Sequence, residues 1–319
     1  MADLRTERDR IIHNSVAPST RKTYDTALAS FKLFCNNQNL TSIFPASIET
    51  ITLYIAHLSL GKKSASTIET YLSAIGFHHK LQGYKDPTNN FTVTKMKEGC
   101  KRRKSGKDAR LPITSNILRN IIPALQIITA NQYEATVFKA VYLTAFTAFM
   151  RVSELTVDSK HKSYDPNRTL MLDDLTLLSD SLCEIRLKTT KTNQHGPPIY
   201  LQLTAYSVNT DLCPVQAMQQ YITCRSTNHG PLFVHFDGSP ITRYQFASIL
   251  QKAISYLSIP EMKRYKNHGF RIGACSSAAM NQVPDVEIKE MGRWSQKSTS
   301  YKRYIRIPTH KLHTPSQCS

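Results

Sequence analysis

Apolar residues recur at helical spacing from the N-terminus onward. In STRKTYDTALASFKLFCNNQNL, Tyr24, Ala27, Leu28, Phe31, Leu33 and Phe34 fall mostly on one helical face, and Ser19 has the chemistry of an N-cap. Pro45 opens a second helix, ASIETITLYIAHLSL, with the stripe Ile48, Ile51, Leu53, Ile55 and Leu58. Ser64 and Ser66 precede a third, STIETYLSAIGFHHKLQG, which Gly83 terminates. A shorter fourth helix spans Val93 to Lys101. Together they predict an all-α bundle of about 90 residues.

Beyond a basic stretch, ITSNILRNIIPALQII and NQYEATVFKAVYLTAFTAFM predict two more helices, the second so apolar that it must be central. The period then changes. TLMLDDLTLL, LCEIRLKTTKT and GPPIYLQLT are short alternating or β-branched runs, which predict a small antiparallel sheet. Helices return in CPVQAMQQYITCR, RYQFASILQKAISYL, the stretch around HGFRIGACSSAAM, and DVEIKEMGRW. The expected fold class is therefore mainly α with a small antiparallel β-sheet. The expected organisation is a helical domain over 1–105, a basic linker over 106–112 and a second domain over 113–319.

Charge sharpens this picture. The 319 residues carry 41 Lys+Arg against 23 Asp+Glu, a net charge of +18, and 40% hydrophobic residues are enough to fill real cores. Residues 1–110 hold 18 Lys+Arg against 9 acids, 111–260 hold 12 against 10, and 261–319 hold 11 against 4. Two basic segments thus flank a nearly neutral middle, as suits a clamp on a polyanion such as duplex DNA. The densest run, Lys101-Arg102-Arg103-Lys104, lies among Gly99, Ser105, Gly106 and Pro112. It reads equally as a linker lying on phosphates, a solvated hinge or a nuclear localisation signal.

Other classes lose support. MADLRTERDR is charged, unlike a secretory leader, and the apolar window Val137–Met150 is too short to span a bilayer and contains Lys139. Seven cysteines without a CxxC pair fit free thiols in a reducing compartment. Phosphate-loop and dinucleotide motifs are missing. His310 and His313, Cys213 and Cys224, and His229 and His235 lack metal-ligand spacing, so no metal and no cofactor is expected.

The candidate chemistry is cationic and aromatic. Arg151 ends the apolar helix, with Glu154 three residues on along the same face to orient its guanidinium. Taken alone, that pair is an ordinary helix salt bridge. His268 and Arg271 form HGFR, side by side if the segment is helical. Lys188 and Lys191 sit where a hairpin should turn, a place for a mobile proton donor or simply for a polar tip. Trp294, the only tryptophan, is followed by Tyr301 and Tyr304 among Lys297, Lys302, Arg303 and Arg306.

The order Arg, Lys, HxxR, Trp, Tyr resembles the active-site series of the tyrosine recombinases, the phage-integrase superfamily. HGFRIGACSSAAMNQVPDVEIKEMGRWSQKSTSYKRYIR is similar to the C-terminal box of the eukaryotic retroelement and Crypton-like branches. SVAPSTRKTYDTALASFKLFC and STIETYLSAIGFHH resemble the helical SAM-like core-binding domain.

The resemblance implies a DNA recombinase or integrase, encoded by or derived from a mobile element, that works through a 3′-phosphotyrosine without metal or ATP. Arg151 and Arg271 would hold the phosphate, His268 would be its neighbour and base, and Trp294 a donor. Lys191 would be the general acid, Tyr304 the nucleophile in RYIR with Tyr301 the alternative, and Glu154 the support of Arg151. Arg21, Lys22, Thr67, Tyr71, Lys101, Arg102, Arg103 and Lys104 would face double-stranded DNA. The implied assembly is a homo-oligomer, a dimer on each site and a tetramer in synapsis. The implied location is the nucleus in a eukaryote, or the cytoplasm and nucleoid in a prokaryote.

Two departures stand out. Ala148 replaces a frequent Gly, and the 15 residues after Tyr304, with Pro308 and Pro315, suit a swapped C-terminal helix poorly. A type IB topoisomerase and a catalytically silent DNA-binding protein are the alternatives.

Overall fold

The computed structural model describes residues 3–306 apart from 41, 104–107, 160–163, 192 and 207–209. Lys104, His310, His313 and the tail HKLHTPSQCS lie outside the described residues. The chain divides into two compact units, Met1–Asp108 and Ala109–Ser319.

The first unit is helical: α1 (Leu4–Asn14), α2 (Pro18–Asn37), α3 (Ile48–Leu60), α4 (Ala65–Leu81) and α5 (Phe91–Arg103). No residue of α1 is buried, and Leu4 and Ile11 are exposed, so it has no core-facing stripe to read. The core of the unit is built from Phe31, Phe34, Ile51, Tyr54, Ile55, Ile68, Leu72, Ile75 and Val93. Leu33, Ile48 and Leu53 are exposed instead. Leu33 is two positions from Phe31, about 200° around the helix, which points it to solvent.

Helix starts differ from expectation by a few residues. Pro18 occupies the first turn of α2 with Ala17 at the cap, because its fixed φ suits that place, so Ser19 is inside the helix. α3 starts at Ile48 with Ser47 as cap, its Oγ accepting from Thr50 N–H at 3.0 Å. Ser64 caps α4, and Gly83 follows that helix with φ of 74°. His79 on α4 is fully buried. Its Nε2 accepts from Ala46 N–H at 2.9 Å and its Nδ1 lies 2.8 Å from Ile75 O. α5 extends through Lys101, Arg102 and Arg103, which belong to its last turn rather than to a linker. Long cationic side chains are good helix formers and complement the negative end of the helix dipole.

The second unit contains α6 (Ser115–Ile128), α7 (Gln132–Thr147), α8 (Val152–Leu155), β1 (Leu175–Ser179), β2 (Leu182–Leu187), β3 (Ile199–Thr204), α9 (Pro214–Cys224), α10 (Arg243–Tyr256), α11 (Gly269–Met280) and α12 (Asp285–Met291). A 3-10 turn, Ser300–Tyr304, is the last element among the described residues. α7 is buried on almost every side, as its composition requires. It ends at Thr147, before Arg151, and Phe149 follows with φ of 49°. Arg151 is therefore not the end of the apolar helix but the N-cap residue of α8.

The sheet is antiparallel in the order β1-β2-β3, with Leu187 opposite Ile199. Cys183, Ile185 and Leu187 of β2 face the core. β1 is shorter than TLMLDDLTLL because Leu172–Asp174 forms a 3-10 turn. The buried Asp174 carboxylate accepts there from Met171 N–H at 3.0 Å and pairs with Arg186 at 2.9 Å and Lys188 at 2.8 Å.

α11 is seated by glycines. Ile113 N–H donates to Gly269 O at 2.9 Å, and a Cβ added at Gly273 would lie 1.8 Å from Ile113 O. The helix thus lies on the backbone of the segment before α6, and this contact sets the position of His268 and Arg271.

Candidate active site

Arg151 enters the site through the cap of α8. Its backbone N–H donates to Glu154 Oε2 at 2.8 Å, and its Nη1 donates to Glu154 Oε1 at 3.0 Å. The arginine side chain is 14% exposed and the glutamate 7%. Short polar geometry of this kind needs only i, i+3 spacing, so it is local in origin.

Arg271 comes from the first turn of α11 and is 1% exposed. Its Nη1 donates to Phe149 O and its Nη2 to Gly292 O. The indole of Trp294 lies over the guanidinium, 4.3 Å from ring centroid to Cζ, and the Tyr304 ring lies at 5.5 Å. Such stacking suits a planar, weakly hydrated cation. Gly292 permits it, since a Cβ there would sit 1.7 Å from the indole Cζ3.

A third guanidinium completes the cluster. Arg293 Nη2 donates to Glu154 Oε2 at 2.7 Å and its Nη1 to Ala148 O at 3.3 Å. Three arginines therefore gather around one carboxylate. Burial, reinforced by Arg151 and Arg293, pushes Arg271 down to about 10. Burial also lowers Arg293, against the pull of Glu154. The fold holds more positive charge here than it neutralises, and a bound anion would offset it.

The tyrosines part company. Tyr301 is buried, and its hydroxyl donates to Asp285. That hydrogen bond, with burial, pushes the phenol up to about 12. Tyr304 is half-buried, its ring 5.2 Å from Trp294 and 6.4 Å from the ring of His268. Ser276 anchors its turn: the Oγ donates to Tyr304 O at 3.3 Å and accepts from Arg306 N–H at 2.8 Å. His268 is exposed at the start of α11.

Three solved structures resemble the chain. XerH site-specific recombinase bound to palindromic difH substrate, a post-cleavage complex, aligns with 91% of this chain and 77% of its own at 14% identity and a TM-score of 0.64. The Tn1549 transposon integrase (residues 82–397) in complex with circular intermediate DNA aligns over 95% and 94% at 14% identity and a TM-score of 0.56. A lambda integrase dimer bound to a COC′ core site aligns over 96% and 77% at 12% identity and a TM-score of 0.59. The chain has the tyrosine recombinase fold. No family model matches the sequence, and neither does any curated protein.

On this recombinase fold the structure brings together Arg151, Glu154, Arg271, Trp294 and Tyr304, with the His268 ring near Tyr304. Lys191 is exposed in the turn between β2 and β3. None of the contacts just described includes it. Lys188 is committed to Asp174 and to Pro166 O. Arg293 escaped the sequence reading. Its only signal was a charged residue wedged between Gly292 and Trp294.

Among the DNA-facing candidates of the first unit, Lys22, Arg102 and Arg103 are exposed. Lys101 pairs with Glu69, and Arg21 contacts His13 and Val16 O. Thr67 joins the Ser64 cap, and Tyr71 packs against the core. Among the described residues, no group of three His, Cys, Asp or Glu is placed to hold a metal, and no helix is long and apolar enough to cross a membrane.

Proposed function

We propose that this protein is a site-specific DNA recombinase or integrase of mobile-element origin, acting on double-stranded DNA as a homo-oligomer. One observation carries the reading: an under-neutralised arginine cluster, built from two distant segments, lies against the half-buried Tyr304. Burying three guanidiniums around one carboxylate is costly for stability alone, and it is apt for a phosphodiester.

The proposed step is an in-line displacement. Tyr304 Oη attacks the phosphorus, the Oη–P bond forms and the P–O5′ bond breaks. The phenolic proton goes to His268, and Lys191 supplies the proton that leaves on the 5′ oxygen. Arg151 and Arg271 bear the charge of the five-coordinate transition state. Rejoining is the reverse step with a 5′ hydroxyl as nucleophile. The phosphotyrosine stores the bond, so the cycle balances without an added energy source. Loss of the Lys191 proton should slow cleavage roughly 10²–10⁴-fold. The Tyr304 ring covers the face of Arg271, so the ring must lift away as the phosphate seats. Arg102, Arg103 and Lys22 are proposed to bind backbone phosphates.

The test is covalent capture. Nicked suicide duplexes tiled across the DNA flanking the gene are incubated with wild type, Tyr301→Phe and Tyr304→Phe, then resolved in denaturing detergent. An adduct lost only with Tyr304→Phe supports the reading. Loss only with Tyr301→Phe moves the nucleophile. Duplex retention without an adduct from any wild-type reaction makes the chain a silent DNA-binding protein. Relaxation of supercoils by monomers, without synapsis, makes it a topoisomerase.

A further inference from the structure

Arg293, like Arg271, ties together the two segments that build the site. It stands between Gly292 and Trp294 with φ of 57°, a left-handed conformation that a long side chain adopts only where its surroundings hold it. Its side chain is 5% exposed. Nη1 reaches Ala148 O at 3.3 Å, and Nη2 reaches Glu154 Oε2 at 2.7 Å and Phe149 O at 3.5 Å. Phe149 O is also an acceptor for Arg271. One side chain therefore joins the segment that carries Arg151 to the segment that carries Trp294 and Tyr304.

The electrostatic consequence concerns Glu154. Its Oε1 takes Arg151 Nη1, while its Oε2 is shared between the Arg151 backbone N–H and Arg293. With Arg293 removed, the whole carboxylate charge would fall on Arg151. That arginine would be held to the protein and the cluster would have one positive charge fewer.

We propose that Arg293 is a positioning residue for a phosphate seat formed by Arg151 and Arg271. It shares the charge of Glu154, so that Arg151 keeps donors for the incoming phosphate, and it fixes Gly292–Trp294 against Arg271. The inference rests on the reading of this cluster as the place of a DNA phosphate. A guanidinium suits the task because its two Nη atoms meet different acceptors, whereas an ammonium offers a single nitrogen. A buried ion pair that serves the fold alone would stabilise the unit without tuning the seat.

Trp294 is the only tryptophan and stacks on Arg271, so its emission reports the seat directly. Wild type, R293M and R293K, all full-length, are titrated with inorganic phosphate at constant ionic strength while this emission is followed. The same proteins are assayed for adduct formation on the nicked duplexes and for duplex retention. In R293M the phosphate half-saturation is expected to rise about tenfold, and adduct formation to slow by about 10- to 100-fold at unchanged retention, the scale of one charge-assisted hydrogen bond. R293K is expected to fall between.

A purely structural residue would lower the urea midpoint and leave the half-saturation of the folded protein where it was. That result overturns the proposal. It is also overturned by wild-type emission that ignores phosphate, or by adduct rates that are equal in wild type and R293M. If R293M does not fold, R293K decides, and a wild-type half-saturation in R293K counts against the proposal. A phosphate half-saturation raised in R293M, with no adduct from any wild-type reaction, keeps this inference and rejects strand cleavage. Equal adduct formation does the opposite.

Discussion

Gly273→Ala sets helix propensity against tertiary packing. In a solvated helix the change should stabilise by about 0.5–1 kcal/mol, because Ala has less backbone entropy to lose. Here the new Cβ would lie 1.8 Å from Ile113 O and 2.6 Å from Ile113 C, both backbone atoms. Ordinary contact begins near 3.4 Å, so α11 must retreat by about 1.5 Å or tilt, since backbone cannot rotate away as a side chain can. Overpacking of this kind costs about 1–3 kcal/mol, and strain on the 2.9 Å bond from Ile113 N–H to Gly269 O adds to it.

The net expectation is a destabilisation of about 1–3 kcal/mol, opposite in sign to propensity. Gly99→Ala in α5 is the control, because a Cβ there meets nothing within 4 Å. It should gain about 0.5–1 kcal/mol. Urea unfolding followed by Trp294 emission reads the second unit, and far-UV circular dichroism reads both. Arg271 rides on α11, and a shift near 1 Å can cost on the order of 10²-fold in rate, so the adduct assay should fall as well. A Gly273→Ala protein as stable as wild type, with full adduct yield, would refute the seating argument.

Three further outcomes are expected. His79→Phe removes the acceptor of Ala46 N–H and the donor to Ile75 O, which should cost the first unit about 1–3 kcal/mol for each orphaned group, read by circular dichroism. Tyr301 has its phenol raised to about 12. Its stabilisation is therefore complete below pH 10 and lost as the pH climbs through 12, so Tyr301→Phe should flatten the alkaline fall in stability across that window. Replacing Lys22, Arg102 and Arg103 by Gln should lower the salt slope of duplex retention by about 0.9 for each phosphate no longer neutralised, without changing the chemistry proposed for Tyr304.

Local chemistry made much of the fold legible. α4 was readable from the Ser64 cap, the period of Ile68, Leu72 and Ile75, and the Gly83 stop, all of which act within a few residues. The strongly apolar run of α7 announced its burial in the same way. α1 was not legible, because a helix with no buried residue leaves no hydrophobic period. The apolar pattern runs to Met150, three residues past the end of α7, because Phe149 adopts a positive φ while its carbonyl accepts from Arg271, 122 residues away. Nothing near Phe149 in the chain encodes that bond.

The sequence alone determined the mainly α class, the net charge of +18 and the presence of Arg151, His268, Arg271, Trp294 and Tyr304. It also determined the Arg151–Glu154 pair, since i, i+3 spacing is a property of local geometry. Tertiary structure alone decided that Arg293 shares Glu154 and that Trp294 and Tyr304 cover Arg271. It also buried the Tyr301 ring and bonded its hydroxyl to Asp285, while leaving Tyr304 half-exposed. These arrangements depend on how α7, α11 and the turn at Ser300–Tyr304 pack on one another. Packing sums weak attractions over segments more than a hundred residues apart, and that sum has no period along the chain.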